Sequence, residues 1–234
     1  MSIENRVTII SGATGGLGQT VSRRFYQAGA RLILVGSRPE TVESLAADLG
    51  NQRILPVAAN LIDPAEAERV VALAQEKYGR VDILLNLAGG FAGGEPVHQA
   101  DESILQKMFD INVHIAYNLG RAAAKPMIAQ KWGRIVNTGS RDSLRGRANF
   151  SAYAMSKAAL LRLTESMAEE LKEYHITVNA ILPGMIDTEA NRNAMPKGNF
   201  EKWVKPATIA ETLLFLVSEQ TAITGAAIPL FEEM

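Results

Sequence analysis

The fold class that the sequence predicts is α/β, a doubly wound parallel sheet of about seven strands with helices on both faces. Short β-branched runs alternate along the chain with segments of helical periodicity. The strand candidates are apolar at most positions, which is typical of parallel strands buried on both sides. Right-handed crossovers between such strands distribute the intervening helices over the two faces of the sheet.

Seven segments have the length and composition of strands: Val7–Ser11, Arg31–Val35, Ile54–Ala58, Ile83–Asn86, Arg134–Thr138, Thr177–Ile181 and Ala227–Leu230. Six segments between them have helical periodicity: Leu17–Ala28, Pro39–Leu49, Pro64–Tyr78, Ile104–Gln130, Ala152–Tyr174 and Thr208–Ser218.

One domain is predicted over residues 1–234, because this length suits a single core and no repeat or low-complexity linker interrupts the pattern. The one long segment with little pattern is Met185–Pro206. Loops of that length in a compact domain are often lids over a binding site. We therefore expect residues 185–206 to act as a substrate lid that moves.

The composition excludes several classes of protein. The formal net charge is −1 and no block of like charge occurs, so neither nucleic acid nor an anionic membrane is expected as a partner. No apolar run reaches the length of about 18 residues that suggests a membrane span. The chain has no cysteine, and its three histidines lack metal-ligand spacing, so no metal site is predicted. We expect a cytoplasmic protein whose chemistry depends on hydroxyls, amines, amides, carboxylates or a bound cofactor.

A glycine-rich turn joins the first strand to the first helix. Such a turn lets backbone N–H groups approach a pyrophosphate at a helix N-terminus, although a glycine-rich turn alone is weak evidence for a ligand. Its place after the first strand favours dinucleotide binding. The residues of this predicted phosphate cradle are Gly12, Thr14, Gly15, Gly16, Leu17 and Gly18.

The end of the second strand bears on the choice of cofactor. A carboxylate there would favour NAD(H), whereas a basic residue accommodates the 2′-phosphate of NADP(H). The sequence has Ser37 and Arg38 and no carboxylate before Glu40. Because arginine offers a planar donor fork suited to phosphate, NADP(H) is favoured and NAD(H) remains possible. A solvated arginine at a helix start is the alternative interpretation of Arg38.

A tyrosine and a lysine begin a long helical segment four positions apart. Residues four apart lie on one helix face, so Tyr153 and Lys157 can share a site. The pKa of a free tyrosine is about 10, too high for an efficient base at neutral pH. A nearby cation lowers that value, and we expect Lys157 to do so. This spacing also occurs often by chance.

A set of motifs occurs in a characteristic order along the chain. The motifs are Gly12 with Gly16 and Gly18, Asn86 to Gly89, Asn112, Ser140, Tyr153 with Lys157, and Pro183-Gly184 with Thr188. Each motif is permissive, whereas the ordered set is specific. The set resembles the short-chain dehydrogenase/reductase family, in its single-domain NAD(P)-dependent branch, and the match extends over essentially the whole chain.

The resemblance implies a Rossmann-like fold and a role for each of four catalytic residues. Tyr153 would exchange a proton with the substrate oxygen, and Ser140 would hydrogen-bond the same oxygen. Lys157 would hold the nicotinamide ribose and depress the tyrosine pKa. Asn112 would support a water that links Lys157 to solvent. Ser143 is a nearby rival for the role of Ser140, which could instead be a strand-end hydroxyl that bonds the backbone.

The resemblance also implies the remaining cofactor contacts. Asn86, Ala88 and Gly89 would line the cofactor beside the fourth strand. Thr188 would meet the nicotinamide carboxamide, and its neighbours Pro183, Gly184 and Ile186 would also contact the cofactor. A second group would lie near adenine: Asn60, Leu61 and Asp63.

Two residues depart from the family pattern. Asn60 stands where an acid is usual, which puts cofactor affinity in doubt more than chemistry. Leu87 stands where a second asparagine is usual, which suggests that a polar contact beneath the cofactor is lost and repacked as core.

The sequence predicts an enzyme that acts on a small carbonyl or alcohol substrate. A dinucleotide-binding module without catalysis would need the cradle but not the tyrosine and lysine, and a protein without a ligand would leave the cradle unexplained. Arg141 directly follows Ser140 and is expected to favour an anionic substrate, with pairing to Asp142 or a contact between subunits as the alternative.

Two helical segments carry apolar or small residues on more than one side, namely Val113–Ile128 and Ala152–Leu171. The resemblance implies that these helices pair with their copies in a homodimer or homotetramer. The alternative is that all of their apolar surface faces the sheet.

Overall fold

A single parallel sheet of seven strands runs through the molecule in the order β3-β2-β1-β4-β5-β6-β7. The computed structural model describes residues 3–231, so residues 1–2 and 232–234 of the predicted domain lie outside the described part. Every strand pair is parallel. The strands are β1 Val7–Ser11, β2 Arg31–Gly36, β3 Ile54–Ala58, β4 Ile83–Asn86, β5 Gly133–Thr138, β6 Ile176–Pro183 and β7 Ala227–Leu230. The predicted doubly wound sheet is confirmed.

Helices cover both faces of the sheet. They are α1 Gly16–Gln27, α2 Pro39–Leu49, α3 Pro64–Tyr78, α4 Glu102–Phe109, α5 Ile115–Gln130, α6 Ser151–Leu171, α7 Glu189–Ala194 and α8 Pro206–Leu216. One hydrophobic core lies between the sheet and helices α1, α2 and α8, and a second lies under α3, α5 and α6. The chain changes face between β3 and β4, because β1 pairs with β2 on one side and with β4 on the other. In open sheets of this kind, ligands bind outside the carboxyl ends of the strands at that point.

The predicted helix Ile104–Gln130 is wrong in two respects. It begins earlier, at Glu102, because the Asp101 side chain accepts a hydrogen bond from the backbone N–H of Ser103 at 2.8 Å. It is also interrupted by a π-helical turn, Asp110–His114. That turn carries Asn112 to the backbone of Gly90, with which its amide exchanges two hydrogen bonds of 3.1 Å. π-Helical turns inside α-helices are frequent at functional sites.

The segment 185–206 contains more regular structure than the sequence pattern indicates. It holds α7, a 3₁₀ turn at Phe200–Lys202 and an isolated parallel β-bridge between Ile186 and Val204. Trp203 and Val204 are buried. The expectation of a patternless segment is therefore corrected, because tertiary contacts define structure that the periodicity did not predict.

Gly18 lies in the first turn of α1, where a β-carbon would stand 2.1 Å from the carbonyl oxygen of Gly12. Alanine is favoured over glycine in helices by about 1 kcal/mol. Steric overlap with a rigid backbone atom opposes that preference, and overpacking typically costs about 1–3 kcal/mol. We predict that Gly18→Ala lowers the free energy of unfolding by about 2 kcal/mol or more, as measured by urea denaturation.

The matched control is Gly120→Ala in α5. There a β-carbon would meet the flexible end of Met167, at 2.9 Å from its Cε, so a small change of either sign is expected. A Gly18→Ala variant as stable as the parent protein would contradict the close approach of α1 to the backbone of Gly12.

Candidate active site

The predicted site residues converge at the carboxyl ends of four neighbouring strands. Ser11, Asn86, Thr138 and Pro183 are the last residues of β1, β4, β5 and β6. The elements that follow these strands carry the glycine-rich turn, the Gly89 segment, Ser140 and Thr188. The site is therefore assembled from short, separate pieces of sequence at one edge of the sheet.

The phosphate cradle lies in close contact with two other parts of the site. Gly12 has a φ of +66°, and a β-carbon there would stand 2.7 Å from the backbone nitrogen of Ala88. The Ala88 N–H donates to the Ser11 Oγ at 3.2 Å. A β-carbon on Gly16 would stand 2.9 Å from the Cβ of Thr188. The glycine-rich turn therefore packs directly against the backbone of Ala88 and the side chain of Thr188, and a side chain at Gly12 or Gly16 would force these parts apart.

The start of α1 suits a dinucleotide phosphate. Gly15 and Gly16 are exposed where α1 begins, while Leu17 and Gly18 are buried beneath them. The first turn of α1 carries no acidic residue. Free backbone N–H groups and the positive end of the helix dipole therefore face the opening, as an anion requires.

Lys157 is a buried cation at the centre of the site. It is 4% exposed, and its Nζ donates a hydrogen bond to the carbonyl oxygen of Thr138 at 2.7 Å. Burial lowers the pKa of this lysine to about 8. A β-carbon on Gly89 would stand 3.4 Å from the Nζ and 2.7 Å from the Oδ1 of Asn112. Gly89 therefore lies directly against Lys157 and Asn112, the two residues that the sequence analysis assigned to the same site.

Tyr153 lies on the same face of α6, with its ring centroid 5.9 Å from the Nζ of Lys157. Burial raises the pKa of Tyr153, and a hydrogen bond with the Ser140 side chain acts in the opposite direction. The expectation that Lys157 lowers this pKa does not hold for the polypeptide by itself. The physical reason is that burial of the phenol favours its neutral form more strongly than the neighbouring groups favour the phenolate.

Ser140 and Ser143 form a small hydrogen-bonded cap after β5. The Oγ of Ser140 accepts from the backbone N–H of Asp142 at 3.2 Å, and the backbone N–H of Ser140 donates to the Oγ of Ser143 at 3.0 Å. Both hydroxyls therefore accept a backbone hydrogen bond, and Ser140 is the serine whose side chain lowers the pKa of Tyr153. The choice of Ser140 over Ser143 stays a prediction.

Asn112 is 1% exposed and links three parts of the site. Besides its two bonds to Gly90, its Nδ2 donates to the Oγ of Ser156 at 3.1 Å. Ser156 in turn donates to the carbonyl oxygen of Tyr153 at 2.8 Å. The sequence analysis missed Ser156, and its position between the tyrosine and the lysine was the only available signal.

A ladder of buried amides lies beneath the cofactor side of the site. The Nδ2 of Asn86 donates to the Oδ1 of Asn137 at 2.8 Å, and Asn137 donates to the Oγ1 of Thr164 at 2.9 Å. Within residues 3–231 the Asn86 Oδ1 is buried without a hydrogen-bond partner. Leu87 packs against the hydrophobic core, as its apolar character led us to expect.

The predicted adenine side lies at the ends of β2 and β3. Ser37 and Arg38 are exposed, and Arg38 is the residue before α2. Asn60 is exposed and Leu61 is buried. Asp63 caps α3 by accepting a hydrogen bond from the Ala65 N–H at 2.9 Å, which gives it a structural role in addition to the predicted one.

Asn118 is a residue of this region that sequence reasoning missed. It is buried on α5, and its Nδ2 donates to the carbonyl oxygens of Leu61 and Ile62 at 3.1 and 3.0 Å. It therefore fixes the loop after β3 to the body of the fold. A lone asparagine in a helical pattern carries no signal for this contact.

The segment after β6 is fastened at its base by Asp187. The carboxylate pairs with Arg192 at 2.6 Å and with Lys205 at 2.8 Å, and these cations hold its pKa well below the usual range. Gly184 donates to the carbonyl of Leu230 at 2.8 Å, and the Oγ1 of Thr188 caps α7. Asp187 was not predicted, because its two partners come from different positions in the segment.

Arg141 lies in the 3₁₀ turn after Ser140, with its guanidinium 4.7 Å from the ring centroid of Phe231. The carboxylate of Asp142 lies 3.8 Å from Arg147. The preference of Arg141 for an anionic substrate stays a prediction.

Residues 3–231 contain no cluster of three or more histidine, aspartate or glutamate side chains arranged to hold a metal ion. In the same range, no helix combines the length and the apolar character that crossing a membrane requires.

The comparisons with known proteins agree with this geometry. The family model of short chain dehydrogenases matches residues 6–198. The chain is 34% identical to a 3alpha-hydroxysteroid dehydrogenase of Mediterraneibacter gnavus, covering 96% of this chain and 95% of that protein. It is 30% identical to a 3-oxoacyl-(acyl-carrier-protein) reductase of Thermotoga maritima, covering 97% of each. The crystal structure of levodione reductase is similar with a TM-score of 0.91 and 28% identity, over 97% of this chain and 96% of that one. The chain belongs to the short-chain dehydrogenase/reductase family and is a hydride-transfer oxidoreductase.

Proposed function

We propose that this enzyme is NADP(H)-preferring and transfers a hydride between nicotinamide C4 and a small carbonyl or secondary alcohol, with Tyr153 as its general acid and base. The observation that carries the proposal is the buried ammonium of Lys157 on the same helix face as Tyr153, whose side chain adjoins Ser140. When bound, the nicotinamide supplies or accepts the hydride. The polypeptide has to orient the reactants and move one proton.

Tyr153 would give its phenolic proton to the substrate oxygen during reduction and remove it during oxidation. Ser140 would donate a second hydrogen bond to that oxygen, since its hydroxyl can rotate. Lys157 would hold the nicotinamide ribose and stabilise the phenolate through its charge. Asn112 would position the lysine environment through Gly90 and Ser156, and would support a water between Lys157 and solvent.

The cofactor would lie along the carboxyl ends of the strands. Its pyrophosphate would bind at the cradle of Gly12, Thr14, Gly15, Gly16, Leu17 and Gly18. Its nicotinamide half would contact Asn86, Ala88, Gly89, Tyr153, Lys157, Pro183, Gly184, Ile186 and Thr188. Its adenosine half would contact Ser37, Arg38, Asn60, Leu61 and Asp63.

The preference for NADP(H) would come from Arg38. This arginine is exposed at the end of β2, directly before α2, where a 2′-phosphate would be bound. A guanidinium can donate two parallel hydrogen bonds to a phosphate, and Ser37 can add a hydroxyl. With NADPH as the donor, reduction is the favoured direction.

Residues 185–206 would form the substrate lid of a single domain. The Asp187 pairs and the Ile186–Val204 bridge join the two ends of the segment, so the part between them would close as one piece over the nicotinamide and the substrate. Hinge movement would then be confined to the few residues outside this fastening.

We also propose a cytoplasmic homodimer or homotetramer assembled through α5 and α6. Tyr117 on α5 and Met155 on α6 are large side chains that are 50% and 52% exposed on these two helices. Pairing of these helices with a second copy would remove both side chains from water.

The proposed acid and base predicts the outcome of Tyr153→Phe. This change keeps the ring and its packing but removes the transferable proton. Turnover of a panel of small ketones should fall by about 10²–10⁴-fold, the usual contribution of general acid catalysis. The dissociation constant of NADPH, measured by fluorescence titration, should change little.

Tyr174→Phe is the matched control, because Tyr174 is partly exposed in the 3₁₀ turn after α6 and should keep full activity. Near-native turnover of Tyr153→Phe would refute the assignment of the acid to this tyrosine.

The proposed phosphate contact predicts that Arg38→Ala discriminates between the two cofactors. Loss of a charge-assisted hydrogen bond costs about 1.5–3 kcal/mol, so the affinity for NADPH should fall roughly tenfold or more. The affinity for NADH should barely change, because it has no 2′-phosphate. Arg162→Ala, which alters an exposed arginine on α6, should affect neither cofactor. Equal losses for NADPH and NADH would show that Arg38 does not read the 2′-phosphate.

A further inference from the structure

Three aromatic rings, those of Phe91, Phe150 and Tyr153, meet in one cluster. The ring centroid of Phe91 lies 5.1 Å from that of Tyr153, with an interplanar angle of 75°. The ring centroid of Phe150 lies 5.1 Å from that of Phe91, at 59°. The first pair is edge-to-face and the second is tilted, and both centroid distances are typical of aromatic pairs. The cluster connects the segment after β4, the residue before α6 and the first turn of α6.

A backbone hydrogen bond joins the two loops that carry the phenylalanines. Gly94 donates to the carbonyl oxygen of Asn149 at 2.8 Å. A β-carbon on Gly93 would stand 2.9 Å from the Phe150 ring, so glycine permits this close approach. The guanidinium of Arg147 covers Phe150 at 4.1 Å from the ring centroid. These contacts hold the two loops together beside the first turn of α6.

Phe91 is nevertheless 56% exposed, so the rings do not form an ordinary core. A cavity of about 310 Å³ is lined by Phe150, by Gly93 and by Ile104 of α4. An exposed apolar side chain beside a reactive group is suited to contact a bound ligand. The covered surface here would consist of aromatic faces and edges.

Resting on the function proposed above, we propose that Phe91 and Phe150 form a specificity wall that selects carbonyl and alcohol substrates whose reacting carbon belongs to, or is attached to, an apolar ring. A ring can stack on or against the edge of Phe91 while its oxygen reaches the Tyr153 hydroxyl. A linear chain of equal carbon number makes poorer contacts with such a wall. It also loses more rotational freedom on binding, because each ordered single bond costs free energy.

The wall should be tested by binding as well as by turnover. The probes are two pairs of ketones matched in carbon number, cyclohexanone with 2-hexanone and acetophenone with 2-octanone. Their dissociation constants are measured by NMR titration of the protein saturated with NADP⁺, a complex that cannot reduce a ketone. Values of kcat/KM with NADPH are then measured for the same four compounds.

We expect the parent protein to bind each cyclic ketone at least about fivefold more tightly than its linear partner, in line with the usual strength of an aromatic contact. In Phe91→Ala and in Phe150→Ala this ratio should fall below about twofold while NADP⁺ affinity is kept. Phe91→Leu, which retains apolar volume without a ring, should lie between. Phe215→Ala is the matched control, because Phe215 is 44% exposed on α8 and distant in sequence from the cluster.

Three results would overturn the wall. They are equal affinity for cyclic and linear ketones, no measurable binding of any of the four ketones, and a preference for cyclic ketones that persists in both alanine variants. Turnover without a preference for cyclic ketones would overturn the wall and leave the proposed function standing. If cyclic ketones bind tightly, if this binding is lost in Phe91→Ala and Phe150→Ala, and if no ketone is turned over, the proposed function is overturned and the wall stands.

Discussion

The hydrogen bond from the buried Lys157 ammonium to the Thr138 carbonyl organises the whole site. An ammonium removed from water is costly unless its donors are satisfied, so the end of β5 must present its last carbonyl to the lysine of α6. That requirement constrains the position of α6 relative to the end of β5, and therefore the position of Tyr153 on α6. It also explains why Gly89 has no side chain, since a β-carbon there would meet both the lysine and Asn112.

The same burial sets the protonation states from which the chemistry starts. It raises the pKa of the tyrosine and lowers that of the lysine, so the neutral form of each side chain is more favoured here than it would be in water. A neutral phenol with a serine hydroxyl beside it is a proton donor, which suits the reduction of a carbonyl. Removal of a proton during oxidation needs additional positive charge near the phenol. A cationic cofactor ring, together with Lys157, would supply that charge.

Much of the fold could be predicted because strands in a parallel sheet have a simple signature. The segments Val7–Ser11 and Ile83–Asn86 have the predicted bounds because they are apolar runs between turn-forming residues. The π-helical turn around Asn112 could not be predicted from the helical pattern, because Asn112 bonds the backbone of Gly90, which lies in another part of the chain. The helix α7 was missed for a different reason, since it is short and is defined by the cap of Thr188 and the pair of Asp187 with Arg192 rather than by hydrophobic periodicity.

Part of the candidate site could be predicted from the sequence and part could not. The glycines, Ser140, Tyr153 and Lys157 could be assigned to one site, because their motifs follow the strands in the order in which those strands lie in the sheet. The contact of Phe91 with Phe150 depends on one backbone hydrogen bond between two loops, and no local pattern encodes it.

The most direct test of the central claim is a titration of Tyr153 itself, followed through the ¹³C shift of its labelled Cζ and assigned by its loss in Tyr153→Phe. In the polypeptide alone, the account predicts a pKa above the usual tyrosine value of about 10, because burial dominates. With NADP⁺ bound, that pKa should fall below this value, and the fall should be smaller in Lys157→Met. A tyrosine that titrates at the same pH with and without NADP⁺ would contradict the account.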